Sequence, residues 1–173
     1  MRVLIACGGT GGHINPGLAI ADIIKSKYPD TEFLFAGTPK GMEAKLVPAA
    51  GYRFETIKVA GFQRRISLEN IGRNAKAVAY LITSGRRAKQ IIEGFKPDIA
   101  IGTGGYAAGP VIRKAARMGI PTAIHEQNAY PGVTNKLLSK EVDHVMLTVK
   151  EALNFMDLSL IHISEPTRQE AIS

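Results

Sequence analysis

Six short apolar runs punctuate the chain: Arg2–Ala6, Glu32–Ala36, Arg53–Val59, Ile99–Ile101, Thr122–Ile124 and His144–Leu147. A strand with one wet face alternates apolar and polar residues, whereas most of these runs are continuous, as in strands covered on both faces. The stretches between them carry helical spacing. One opens at Asn15-Pro16, where Asn suits a cap and Pro the first helical position, and sets Ile20, Ile23 and Ile24 along one side. Others are expected over Met42–Ala50, Ser67–Gly94, Pro110–Met118 and Gly132–Ser139. This alternation predicts an α/β fold with a doubly wound, mainly parallel, Rossmann-like sheet. Such sheets bind ligands beyond the carboxyl ends of their strands, where the strand order reverses. The loops that follow strands are therefore the places to look for chemistry.

Two of those loops share a pattern. Gly9-Thr10-Gly11-Gly12-His13 follows the first strand, and Gly102-Thr103-Gly104-Gly105-Tyr106 follows the fourth. Glycine lets backbone amides approach an anion or a sugar closely, and a helix starting there adds its positive end. The plainer reading is a pair of tight strand-to-helix turns, and the matched pair favours ligand loops. The dinucleotide fingerprint fails, because its sixth place, counted from Gly9, is Ile14, and no carboxylate follows the second strand at Phe35-Ala36-Gly37. There is no Gly-Lys-Ser/Thr of a P-loop and no Asp-x-Asp pair for a metal-bound diphosphate. What remains is recognition of a diphosphate or sugar by backbone amides, with no metal and no cofactor expected.

His125-Glu126-Gln127-Asn128 follows the fifth strand, where four polar residues are well placed to line a cleft. With His13 and Tyr106 they offer a general base, its orienting partner and groups for sugar hydroxyls. His13 and Glu126 are the candidate catalytic residues. His13 as a simple helix cap, and Glu126 as a buried organiser of the loops, stay open as alternatives. His144 and His162 are given no role, and Cys7 reads as a small buried filler.

Composition narrows the partners. The 173 residues carry a net charge of +7, a single cysteine, no Trp and 6% aromatics. One cysteine excludes a disulfide framework and fits a reducing cytoplasm. Sparse aromatics disfavour a stacking surface for nucleic acid, so no nucleic acid is expected. No run of eighteen apolar residues is present to span a membrane, and the amino terminus reads as a strand rather than a signal peptide. The charge gathers between Gly61 and Lys96, where Phe62, Arg64, Arg65, Arg73, Lys76, Leu81, Ile82, Arg86 and Arg87 mix cations with apolar residues. This mixture suits an anionic membrane surface, with a sheet-packed helix as the alternative.

Gly8–His13 with Asn15-Pro16-Gly17, Gly37-Thr38 with Met42-Glu43, Gly102–Tyr106, and His125–Asn128 with Thr134-Asn135-Lys136 together resemble the amino-terminal half of the MurG family, over about Met1–Met156. These are UDP-N-acetylglucosamine:lipid I N-acetylglucosaminyltransferases of the two-domain GT-B type. The resemblance implies an inverting, metal-independent transfer of N-acetylglucosamine from UDP-GlcNAc to the 4-hydroxyl of lipid I. The product, lipid II, serves peptidoglycan synthesis and hence cell-wall biogenesis, cell shape and division. It places the protein peripherally on the cytoplasmic face of the cell membrane. Carried over by position, Thr10, Gly11 and Gly12 would lie near the donor, His13 would be the favoured base or transition-state partner, and Gly104, Gly105 and Tyr106 would line the acceptor diphosphate and sugar. Asn128 reaches the donor sugar, while His125, Glu126 and Gln127 shape the cleft.

Residues 1–157 are expected to form this acceptor and membrane domain. Residues 158–173 break the pattern, and Leu158–Arg168 read like a translated sequencing adapter. The family's carboxyl-terminal donor-binding domain does not follow, so the chain alone is expected to be inactive. Two other readings stay open: a non-catalytic membrane-recruiting subunit of a split transferase, and a transferase acting on another lipid.

Overall fold

In the computed structural model, which describes residues 1–59, 83–156 and 162–164, the apolar runs assemble into one parallel sheet. Its strands are β1 (Arg2–Cys7), β2 (Glu32–Gly37), β3 (Arg53–Thr56), β4 (Ile99–Gly104), β5 (Thr122–Glu126), β6 (His144–Leu147) and β7 (His162–Ser164). Their spatial order is β3-β2-β1-β4-β5-β6-β7. Helices α1 (Gly11–Lys27), α2 (Glu43–Ala49), α3 (residues 83–95), α4 (Ala108–Arg117) and α5 (Val133–Leu138), and a 3-10 turn at Lys150–Phe155, fill the connections.

The continuous apolar runs have a direct cause: each strand feeds two cores. Along β1, Leu4 and Ala6 join Leu34, Ile92, Ile112 and Ile124 on one face of the sheet. Val3, Ile5 and Cys7 join Ile14, Phe35 and Val47 on the other. Burying one such Leu or Ile is worth about 1.5–3 kcal/mol, so a polar residue in mid-strand is penalised on either face.

The chain steps outward from β1 to β2 and β3, then returns to lay β4 against the other side of β1. The order thus reverses between β1 and β4, which makes a crevice at their carboxyl ends. Parallel register puts the end of β5 beside them, with Cys7 opposite Gly104 and Gly102 opposite Ile124.

Several boundaries differ from expectation. Helix α1 starts at Gly11, four residues before Asn15. Thr10 is extended (φ −134°, ψ 158°), and its carbonyl accepts from the His13 amide at 3.0 Å and the Ile14 amide at 3.2 Å. Gly11, Gly12 and His13 are therefore a helical first turn rather than a loop, and Pro16 lies inside the helix. Strand β3 ends at Thr56, short of Val59. Strands β4 and β5 run on to Gly104 and Glu126, because pairing with β1 and β6 continues that far. The strand β7, within residues 158–173, pairs with His144–Met146.

Of the residues expected at a membrane, Phe62, Arg64, Arg65, Arg73, Lys76, Leu81 and Ile82 lie outside the described residues. In α3, Ala88, Ile91, Ile92 and Phe95 are buried against the sheet. Arg86 is exposed. Arg87, by contrast, pairs with Glu55 at 2.5 Å and donates from Nε to the Thr56 carbonyl at 3.1 Å. Its guanidinium links α3 to β3 while staying partly exposed.

Candidate active site

Loop 1, residues 8–10, leaves β1 and enters α1. The amides of Gly11 and Gly12 in that first turn have no intrahelical acceptor and form the positive end of the helix. Beneath the loop lies Glu43, fully buried at the start of α2. Its carboxylate accepts from the Gly9 amide (3.1 Å), the Thr38 amide (2.8 Å) and the Thr38 hydroxyl (2.7 Å). Burial alone would push this carboxyl up, but the Thr38 and Gly9 donors outweigh it and hold the group below the ordinary range. Gly8 and Gly37 leave the room: a Cβ on Gly8 would lie 2.7 Å from Glu43 Oε1, and one on Gly37 2.5 Å from its Cγ. The same charge, after burial itself, drives the Cys7 thiol up to about 12, so it stays protonated.

Loop 2 follows β4 and is packed against loop 1. A side chain on Gly105 (φ +83°) would overlap the Gly8 carbonyl. One on Gly104 (φ +110°) would meet the His13 ring, 2.6 Å from Nδ1. Both backbones lie in the left-handed region that favours glycine. These two glycines therefore first serve to dock one loop on the other and to seat the imidazole. The buried Thr103 hydroxyl closes the junction by donating to the His13 carbonyl at 2.6 Å. Tyr106 projects from loop 2 with 64% of its surface exposed, and Thr10 is exposed across the crevice.

Loop 3, after β5, supplies the third wall. The Gln127 side-chain amide meets His13 Nδ1 at 2.6 Å and joins the carboxyl ends of β1 and β5. Glu126 is fully buried and points the other way. Its Oε1 accepts from the Asn128 amide (3.0 Å) and Asn128 Nδ2 (2.9 Å), and its Oε2 from the Gly132 amide (3.1 Å) and Asn135 Nδ2 (2.9 Å). Four donors fill this carboxylate, and none of its surface reaches solvent. This burial and donor set favour, of the two readings kept open for Glu126, the organiser of loop 3 over the catalytic residue; it holds exposed Asn128 by its backbone and side-chain amide nitrogens. His125 contacts the Thr148 hydroxyl through Nε2 at 3.1 Å. Burial lowers its pKa, and the neighbouring Glu126 charge opposes that shift without cancelling it.

Thr10, Gly11, Gly12, His13, Gly104, Gly105, Tyr106, Gln127 and Asn128 thus lie on the three segments that meet around His13 at the β1–β4 switch point. Glu43, Thr103 and Asn135 were missed as functional positions. Each acts on loop geometry through contacts distant in sequence, although the short spacing of Gly37-Thr38 to Glu43 carried a signal.

Residues 3–147 match the glycosyltransferase family 28 N-terminal domain. The chain is 51% identical over 174 residues to the UDP-N-acetylglucosamine--N-acetylmuramyl-(pentapeptide) pyrophosphoryl-undecaprenol N-acetylglucosamine transferase of Acetivibrio thermocellus. That alignment covers 99% of this chain and 46% of the relative. The protein of the same name from Ruminiclostridium cellulolyticum is 49% identical over 175 residues, covering 100% of this chain and 47% of that one. The chain therefore spans about half the length of the curated relatives it matches. The crystal structure of Acinetobacter baumannii MurG superposes with a TM-score of 0.73 at 28% identity, covering 95% of this chain and 43% of that one. The Streptomyces glycosyltransferase SsfS6, at 17% identity and a TM-score of 0.60 over 88% of this chain and 51% of its own, shares the fold.

Proposed function

Because the chain belongs to the glycosyltransferase family 28 N-terminal domain family, we propose that it is the acceptor-binding half of an enzyme transferring N-acetylglucosamine from UDP-N-acetylglucosamine to lipid I. The observation that carries this reading is the meeting of three loops around His13 at the β1–β4 switch point. Loop 1 offers free helix-end amides, loop 2 the exposed Tyr106, and loop 3 the exposed Asn128. A pyrophosphate is drawn to such amides and a sugar to such polar groups.

In the proposed step the acceptor 4-hydroxyl gives its proton to His13 Nε2 while its oxygen attacks the anomeric carbon. The bond from that carbon to the diphosphate oxygen breaks, UDP departs with the electron pair, and the anomeric configuration inverts. A general base of this kind contributes roughly 10²–10⁴-fold. Glu126 takes no proton here; its part is to hold Asn128. The lipid tail of the acceptor and the +7 charge fit peripheral attachment to an anionic membrane, with Arg86 rather than Arg87 among the available cations.

A chimera tests this directly: residues 1–156 joined to the carboxyl-terminal half of the A. thermocellus relative, assayed for transfer of labelled GlcNAc to lipid I. Transfer that falls about 10²–10⁴-fold in His13→Ala is expected. An unchanged rate removes His13 as base, and transfer only to another lipid removes lipid I as the acceptor. The 173-residue chain alone is expected to give little transfer, since the resemblance puts most UDP-binding groups in the other half.

A further inference from the structure

Histidine serves as a base only through a nitrogen that lacks its proton, and a neutral ring carries one proton on either nitrogen. At His13 the choice lies with Gln127. Its side-chain amide sits 2.6 Å from Nδ1, and among the described residues nothing hydrogen-bonds to Nε2. The two ends of an amide are alike in shape, so amide and ring can meet in two ways. With the amide nitrogen toward Nδ1, the ring proton must sit on Nε2, and the nitrogen left for substrate is a donor. That arrangement also leaves Gln127 Oε1 buried and without a partner. A buried acceptor without a partner is unfavourable. Turned over, Oε1 accepts Nδ1–H and Nε2 presents a lone pair. Once Nε2 has taken a proton both ring nitrogens are donors, and only the oxygen end of the amide suits that state.

We propose that Gln127 is a positioning residue that presents its carbonyl oxygen to His13 Nδ1–H and so holds the ring in the tautomer whose Nε2 can accept the proton of an attacking hydroxyl. This rests on His13 being the base proposed above. The seat for the ring is set by its neighbours: Gly104 leaves space for it, and the Thr103 hydroxyl donates to the His13 carbonyl at 2.6 Å. The other titratable groups at the loop ends of the elements around it are Cys7 on β1, Glu126 and His125 on β5, Glu43 on α2 and Tyr106 on loop 2. None of them hydrogen-bonds to the ring, and Glu126 and Glu43 are filled by other donors. An amide, not a carboxylate, therefore sets the tautomer.

Ring 15N spectra of the 173-residue chain, which report which imidazole nitrogen carries the proton, test this without any assay of transfer. The parent is expected to be mainly Nδ1–H. Gln127→Met, similar in shape but without the amide, is expected to shift the tautomer ratio at least tenfold toward Nε2–H. Gln127→Glu keeps an acceptor oxygen and is expected to restore Nδ1–H, with the ring titrating at higher pH than in the parent. The His125 and His144 signals act as fold controls, and a variant in which they move is replaced by Gln127→Leu. A parent ring protonated mainly on Nε2, or a ratio that Gln127→Met and Gln127→Leu leave unchanged, overturns the proposal. If the tautomer shifts as expected but His13→Ala does not slow the chimera, the positioning role stands and the base assignment falls.

Discussion

At the scale of single residues, the site is held by side chains that no substrate needs to touch. Glu43 is the clearest case. Replacing it by Gln turns an amide nitrogen toward donors and leaves at least one buried N–H unpaired, at a cost of about 1–3 kcal/mol. Calorimetry of Glu43→Gln should show a melting temperature lower by roughly 3–10 °C for a domain of this size. The acid limb should change as well. The folded pKa of Glu43 is depressed, so its contribution is complete above the unfolded value of about 4.3 and fades as pH falls through the folded value. Stability measured from pH 6 downward should therefore decline more shallowly in the variant than in the parent. Gly104→Ala combines a left-handed backbone with a methyl against the His13 ring. It should reduce transfer by the chimera by an order of magnitude or more even where melting shows the fold intact. The glycines at 104 and 105 were legible in the sequence, but their first task was not. Their neighbours are the His13 ring and the Gly8 carbonyl, about ninety residues away, and no local pattern announces such contacts. The organising role of Glu126 was legible as one of two alternatives, but its donors, from Asn128, Gly132 and Asn135 around a turn, were not.

At the scale of elements, the strands were the most legible part. Two-sided burial leaves a continuous apolar run, and all six expected strands are present, with β4 and β5 extended by pairing. Helix starts were harder to read. Glycine at 11 and 12 looks like loop, yet the extended Thr10 and its carbonyl begin α1 there. Between α3 and β3, the Arg87–Glu55 pair is partly exposed on both sides, so it is worth no more than about 1 kcal/mol. Arg87→Glu should destabilise the domain by about that much through like-charge repulsion, and adding Glu55→Arg should recover most of it in a urea melt. An equal effect of the single and double variants would show that the pair does not fasten α3 to β3.

At the scale of the whole molecule, the crevice and the apolar surface lie close together. Beside loop 3, Tyr130, Val133, Leu137 and Phe155 are exposed, with Tyr130 stacked on Phe155 at 4.8 Å and Lys136 over the Phe155 ring. A surface of this kind on a chain about half the length of its relatives is expected to be covered by the other half. Hydrogen exchange comparing the chain with the chimera should show added protection over residues 129–138 in the longer protein. Equal exchange would place the docking face elsewhere. Flotation with anionic vesicles should be weakened by Arg86→Glu, and neutral vesicles should bind less of either protein.

The contact between Gly105 and the Gly8 carbonyl bears on how such a site can diversify. At that contact the first two turns are locked backbone to backbone, so Gly105 admits no side chain without displacing the Gly8 carbonyl. The third wall is tethered through side chains at Glu126 and Gln127, and exposed Asn128 is held at its rim by Glu126. Changes in which sugar or lipid is accepted should therefore accumulate after β5, while the first two turns remain a fixed frame.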